Sequence, residues 1–302
     1  MTSSKITIFT PTYNRRNILK NCYKSLCNQT NKNFIWLIVD DGSKDNTEEL
    51  VENWIREKKV EIKYIKQKNS GKHVAHNTAV NFCGTDIFVC VDSDDYLTKD
   101  AVEVIYENWD KVESDSQLSG IIALKSYSTG KLVGTRMPEN INICSLFDLY
   151  SKHKFKGDTM LIYKTSILKN YLFPVFKDEK FVTEAVIYDQ IDQSFKMLLL
   201  DRVLYICEYL EDGYSKNLKN VHRANPKAYI YFLNQRIKFA KSTKEKYIAI
   251  SYYLAGNWII RNKNIIKNSD QKILYTLAIP KATIIFIKPL IKNLLIKLGV
   301  IR

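Results

Sequence analysis

Asp86-Ile87-Phe88-Val89-Cys90-Val91-Asp92-Ser93-Asp94-Asp95 is the stretch whose reading decides the fold. Its five successive apolar residues leave no polar face for water, as in a strand covered on both sides within a parallel sheet. The run ends directly on carboxylates, which therefore sit at the carboxyl end of the strand. Open α/β sheets bind their ligands there.

Working outward from this strand, the same grammar recurs. Lys5 to Pro11 reads as a first strand, and Asn14 as the cap of a helix with Ile18, Leu19, Cys22 and Leu26 on one face. Phe34 to Val39 is a second buried strand closed by the Asp41-Gly42 turn. Asp45 with Glu48 predicts a capping box and a helix to about Lys58, and Ile62 to Lys66 a third strand. Gly71 to Cys83 is then a helical connection. Beyond the central stretch, Gly120 to Leu124 and Met160 to Tyr163 read as strands, Glu179 to Leu200 as one long helix, and a short strand precedes Asp212. Asn225 to Gly299 reads as mostly helix, with Pro280 and Pro289 breaking it into short pieces. The expected fold class is α/β: a doubly wound, mostly parallel sheet with helices on both faces, plus a helical C-terminal extension. Residues 1–215 form the α/β domain, divided into 1–127 and 128–215, and residues 216–302 form the extension.

A chain of 302 residues with 45% hydrophobic and 26% charged residues is neither disordered, collagenous nor built of repeats. Its net charge of +14 is uneven. After Gly213 there are 18 basic residues against Glu245 and Asp270, a charge of +16, while the first 213 residues carry −2. The two regions therefore face different partners. Six scattered cysteines form no CxxC pair and read as reduced core thiols. The N-terminus lacks a basic segment followed by an apolar run, so a cytoplasmic location is expected. The longest uncharged run, Tyr247 to Ile260, is 14 residues, short of the roughly 20 a membrane helix needs.

Asp92, Asp94 and Asp95 repel one another unless a cation is held among them. Oxygen-only ligation by a few carboxylates suits Mg²⁺ or Mn²⁺, with phosphate oxygens completing the shell. A second acidic turn, Asp40-Asp41-Gly42-Ser43, ends the second strand, and Thr10-Pro11-Thr12-Tyr13-Asn14 ends the first. Carboxylates can accept the protons of a base or of ribose hydroxyls, Tyr13 offers a stacking face, and Pro11 fixes the loop. Asn69-Ser70-Gly71-Lys72 adds a glycine and a cation at a helix start. Together these suggest a nucleotide site. His73 and His76 lie three apart, but with no third ligand they read as structural.

FTPTYNR, VDDGSKDNT, NSGKHVAHN and VDSDDYL, in this order and spacing, resemble a family 2 glycosyltransferase of the GT-A fold. Gly157-Asp158 and Lys180-Phe181-Val182-Thr183-Glu184-Ala185 resemble the acceptor half of bacterial members that build surface polysaccharides or glycosylate proteins. The resemblance implies that Pro11, Tyr13, Asn14, Asp40 or Asp41, and Lys72 hold the nucleotide. It also implies Asp92 near the ribose beside Ser93, Asp94 on the Mn²⁺ or Mg²⁺, and Glu184 as the base. Where many relatives have an acidic pair, this chain has Thr183-Glu184-Ala185, so Glu184 acts alone or Asp158 or Asp189 substitutes. The implied reaction moves a sugar, foremost from a UDP-linked donor, to a glycan, lipid-linked or protein-linked acceptor with inversion. A silent nucleotide-sugar-binding or assembly module is the alternative. Asp212 to Lys216 reads as a loop closing over the phosphates or a plain turn, with Lys216 or His222 adding charge.

Lys281 to Arg302 sets Lys281, Lys288, Lys292, Lys297 and Arg302 among Ile, Leu and Phe with no acidic residue. Such a segment suits peripheral association with an anionic membrane face, or packing against a second copy. No nucleic-acid-binding motif accompanies the charge, and nucleic acid is not expected.

Overall fold

The computed structural model describes residues 5–208, 218–262, 264–267 and 269–297, with the side chains of the last helix described through Lys288. Lys216 of the 212–216 loop and Arg302 lie outside the described residues, as do the side chains of Lys292 and Lys297. The chain falls into two units, residues 1–173 with 187–213 and residues 174–186 with 214–302.

The first unit begins β1 (Ile6–Thr12), α1 (Leu19–Cys27), β2 (Phe34–Asp40), α2 (Thr47–Glu57), β3 (Glu61–Lys66), α3 (Lys72–Phe82) and β4 (Ile87–Cys90). It continues through β5 (Tyr96–Leu97), α4 (Ala101–Glu113), β6 (Leu118–Tyr127), β7 (Ile143–Cys144), α5 (Leu146–Ser151), β8 (Thr159–Lys164), α6 (Thr165–Leu168), α7 (Ala185–Ile191) and β9 (Lys196–Cys207). The sheet order is β3-β2-β1-β4-β8-β6-β9-β5, with β7 paired to β9. β1 runs parallel to both β2 and β4, and β3 parallel to β2. The chain thus winds outward from β1 in one direction and returns on its other side at β4. In open α/β sheets such a reversal marks the crevice where ligands bind, at the carboxyl ends of the two flanking strands, here β1 and β4.

Every residue of β2 is buried, as its unbroken apolar run requires. Against it, Tyr23 of α1 and Trp54 of α2 stack at 4.2 Å, with Trp36 of β2 5.7 Å from Trp54. The Trp36 indole donates to Thr10 Oγ1 at 2.9 Å, which ties this aromatic cluster to the strand leading into the crevice. All six cysteines are free thiols.

Four local expectations are corrected. The N-cap of α1 is Ile18, without a side-chain bond; Asn14 sits at φ 52° and its Oδ1 accepts from Lys44 N instead. Asp45 and Glu48 do not close a box on α2, because Asp45 accepts from Arg16 N and Thr47 Oγ1 while Glu48 pairs with Lys66 at 2.6 Å. The long helix from Glu179 to Leu200 is only α7, and Lys196–Cys207 is the strand β9 beside β6. The buried run Met197 to Leu199 fits either period, and pairing with β6 decides it. Pro280 and Pro289 lie within one helix, α11 (Lys272–Lys297). Pro280 and Thr276 are both exposed, so the carbonyl left without a donor at Thr276 meets water.

Gly157 marks a close backbone approach. At φ 107° a Cβ here would meet Val133 O at 1.8 Å across the bridge to Gly134. Gly157→Ala is expected to cost about 2–4 kcal/mol through strain at positive φ and displacement of the facing chain. A urea midpoint equal to that of the unsubstituted protein would contradict this.

The second unit is helical: α8 (Leu218–Ala224), α9 (Pro226–Phe239), α10 (Thr243–Ile259) and α11. Glu179 accepts from Lys227 N and Ala228 N, each at 2.8 Å, at the start of α9. A carboxylate there satisfies donors that the helix itself cannot. Asn225 Oδ1 returns the link by accepting from Lys180 N and Phe181 N. Ile237, Ile250, Leu254, Tyr275, Ala278 and Ala282 form the core between α9, α10 and α11. Among the described residues no helix is long and apolar enough to cross a membrane.

Candidate functional site

The site is built from three strand ends brought side by side by the register of β1. Thr12 lies opposite Asp40 of β2, and Phe9 opposite Cys90 of β4. The loops that follow carry Tyr13 and Asn14, Asp41 to Ser43, and Asp92 to Asp95. Asn14 N donates to Ser43 Oγ at 2.8 Å, and the Asn14 side chain accepts from Lys44 N at 2.8 Å, locking the first two loops together. Tyr13 is left 45% exposed beside them, while Pro11 is still within β1 opposite Val39.

Of the adjacent aspartates, Asp40 is completely buried, with Oδ1 accepting from Ser43 N at 2.7 Å and Oδ2 from the Tyr64 hydroxyl at 2.6 Å. It shapes the turn and presents no surface to a ligand. Asp41 is buried as well, 5% exposed. That carboxylate accepts from Gln67 Nε2, Ser70 N and Gly71 N at 2.7–2.8 Å, which draws the 67–71 segment to the end of β2. Gly71 at φ 98° makes the turn into α3, and the next residue, Lys72, reaches across to Asp92.

Lys72 Nζ lies 2.6 Å from Asp92 Oδ1, both side chains about a third exposed. Ser93 is buried. The Asp94 carboxyl holds its proton above the usual aspartate range, first through burial and then through the charge on Asp92, with Arg15 and Lys72 acting in the opposite sense. Asp95 belongs to the scaffold: it accepts from the Tyr205 hydroxyl at 2.8 Å and from Glu208 N at 2.9 Å, and Tyr205 in turn accepts from Asp92 N at 3.0 Å. The loop is thus pinned from below at Asp92 and Asp95, leaving Asp92 and Asp94 at its tip.

Asp95 is pushed up to about 6, first by burial and then by Asp92, against the bonds from Glu208 N and Tyr205. A carboxyl that binds its proton more tightly folded than unfolded adds stability at low pH and loses it as pH rises through the folded value. The metal-free protein is expected to lose stability between about pH 4 and about pH 6, and Asp95→Asn to flatten that part of the curve. Urea midpoints across this range check it; an equally steep curve in the variant would contradict it.

Asp92 and Asp94 would supply two ligands to a divalent cation at this tip; among the described residues no three His, Cys, Asp or Glu side chains gather as a complete metal set. Burial first, and then the charge on Asp92, disfavour the ionised Asp94; a hard cation such as Mg²⁺ or Mn²⁺, with its other oxygen ligands drawn from a bound diphosphate, would relieve that repulsion. His73 and His76 do not join the pair. Both are buried, with His76 edge-on to Phe9, Phe88 and Phe173 and His73 edge-on to Phe173. Burial keeps His73 below the usual histidine range.

The base candidates are spread more widely. Asp158 pairs with Lys125 at 2.7 Å, and Lys125 also lies 4.3 Å over the Tyr205 ring. Asp189 is buried on α7. Glu184 is exposed and directly precedes α7, in the second unit. His222 is on α8, stacked at 4.2 Å on Tyr229. Two residues of the crevice were not singled out from the sequence. Arg15 was quoted only within FTPTYNR, and its cationic position two residues after Tyr13 was the available sign. Tyr205 carried no local sign at all, since its role depends on β9 pairing with β5.

A family model described as Glycosyl transferase family 2 matches residues 7–172. Glycosyltransferase GlyA of Streptococcus pneumoniae is 27% identical over 68% of this chain and 30% of its own length. The GalNAc(5)-diNAcBac-PP-undecaprenol beta-1,3-glucosyltransferase of Campylobacter jejuni is 23% identical over 99% of this chain and 97% of its own. The chain spans less than a third of the length of the first curated relatives it matches. Among solved structures, S. aureus TarS superposes with a TM-score of 0.60 at 18% identity, covering 93% of this chain and 80% of that one. TarS has also been solved with UDP-GlcNAc. These likenesses place the α/β unit in the GT-A fold.

Proposed function

The chain belongs to glycosyl transferase family 2, and from that premise we propose that it is a metal-dependent, inverting transferase of sugar from a nucleotide-sugar donor, foremost a UDP-sugar. The observation that carries the reading is the meeting, at the ends of β1, β2 and β4, of an exposed tyrosine ring, a loop-holding aspartate and the Lys72–Asp92–Asp94 cluster. These are the groups a nucleoside diphosphate needs: a face for the base, an acceptor for its N–H, and charge for its ribose and phosphates.

In the proposed mechanism Tyr13 stacks on the base, with Pro11 and Asn14 holding its loop, and Asp41 accepts from the base. Asp92, beside Ser93, accepts from the ribose hydroxyls, and Lys72 sits where its cation can turn from Asp92 to a phosphate. Asp94, with Asp92, would hold the Mg²⁺ or Mn²⁺. When bound, the ion neutralises the charge that grows on the departing diphosphate. Glu184 accepts the proton of the acceptor hydroxyl as its oxygen bonds to the anomeric carbon and the bond to the phosphate oxygen breaks. The proton ends on Glu184, and the electron pair leaves with the nucleotide diphosphate. We assign this chemistry to residues 1–215, which take in the Glu184 segment of the second unit, and membrane or subunit association to residues 216–302.

The acceptor we propose is a glycan, lipid-linked or protein-linked, of a bacterial surface polysaccharide or glycoprotein, met at the cytoplasmic face of the membrane. The polyprenol-linked glycan in the printed name of the Campylobacter relative supports the lipid-linked form. Calorimetric titration with UDP, GDP and CDP, each with and without Mn²⁺, tests the donor side. Metal-dependent binding of UDP in preference to the others is expected. Equal or absent binding of all three would overturn the nucleotide assignment.

A further inference from the structure

Helix α11 is apolar on two sides. Its inner side, with Tyr275, Ala278 and Ala282 buried, is already used in the core with α9 and α10. Its outer side should then be polar, as on a helix at the surface of a water-soluble unit. Instead Ile273 is 79% exposed, Leu277 61%, Ile284 65% and Ile287 39%, with Pro280 exposed between them. The spacing of three to four residues puts all five on one face, a stripe about 21 Å long at 1.5 Å per residue. Exposed lysines, Lys272 and Lys288, stand at its two ends. Lys281 is turned aside, its ammonium 5.4 Å over the Tyr247 ring of α10.

We propose that this face of α11 docks in the plane of a membrane rich in anionic lipid. The stripe supplies apolar area for the acyl boundary, and the lysines at its ends lie at the height of the headgroups. The helix lies on the membrane and does not span it, since no described helix is apolar enough to cross. Charge selects the partner. After Gly213 the sequence carries +16 with only Glu245 and Asp270 acidic, so a second copy brought face to face would meet its own positive charge, whereas an anionic leaflet attracts it. Nucleic acid would answer the charge and leave the Ile/Leu stripe in water.

The test is flotation of the full chain with vesicles of phosphatidylcholine alone and of phosphatidylcholine with 30% phosphatidylglycerol, a probe composition of about two charges in seven lipids. Binding only to the anionic vesicles is expected, falling in high salt. The triple substitution Ile273→Ser, Leu277→Ser, Ile284→Ser is expected to lower partition at least tenfold while leaving far-ultraviolet dichroism and UDP binding unchanged. Lys272→Glu with Lys288→Glu, which leaves the stripe intact, should weaken the preference for anionic lipid and its salt dependence, and an unchanged preference would contradict the role given to these two lysines. The proposal is overturned if the full chain ignores both vesicles or the triple variant floats like the unsubstituted protein. It is overturned equally if ultracentrifugation shows a dimer that the triple substitution dissolves, which would make the face a self-interface. Because UDP binding is read separately, failure here leaves the donor assignment standing.

Discussion

Asp94→Ala is expected to lower sugar transfer by at least about 10²–10³-fold, the scale of losing one preorganised stabiliser of charge in a transition state. The loss should come with loss of the metal requirement for nucleotide binding. The geometry gives the reason. Asp95 is held by Tyr205 and Glu208 N, and Asp92 shares its charge with Lys72, so Asp94 is the carboxylate at the loop tip with the least committed charge. Its proton is held above the usual range, so metal binding is expected to weaken at a higher pH than for an ordinary aspartate as pH falls. Fold should persist, because the bonds that pin the loop belong to its neighbours. Released nucleotide diphosphate and Mn²⁺ titration measure both effects, and full activity in the variant would remove Asp94 from the metal site.

Glu184→Gln should separate the two halves of the reaction. Donor binding is expected to be unchanged, while transfer falls by about 10²–10⁴-fold, the range for loss of a positioned general base. Glutamine keeps the size and most hydrogen bonding of glutamate but cannot accept the proton. The alternatives differ in their surroundings: Asp158 is paired with Lys125 and Asp189 is buried, whereas Glu184 is exposed just ahead of α7. Unchanged turnover in Glu184→Gln, with transfer lost in Asp158→Asn or Asp189→Asn, would move the base.

The parts of the fold read correctly from sequence are those in which local pattern and tertiary role agree. The uninterrupted apolar runs at Phe34 to Val39 and Ile87 to Val91, short and bounded by turn residues, read as strands covered on both faces, and their acidic ends followed. What was misread involves choices made elsewhere in the molecule. The residues from Lys196 onward suit helix or strand, and pairing with β6 takes them as strand. Asp45 looked like a cap, but Arg16 N and Thr47 Oγ1 claim its oxygens. The two aspartates at the end of β2 are told apart by their partners, Ser43 N and Tyr64 for Asp40 and the 67–71 segment for Asp41. Tyr64 is 24 residues away in sequence, beyond any local rule.

The most direct test of the central claim, that this crevice binds a nucleotide sugar and activates it with a divalent ion, is a panel of nucleotide sugars. Each is incubated with Mn²⁺ or Mg²⁺ and scored for released nucleotide diphosphate, with a matching series in chelator. Slow, metal-dependent hydrolysis of one donor, foremost a UDP-sugar, is expected without any acceptor present. Silence across the panel, with calorimetry showing no binding of any donor, would contradict it.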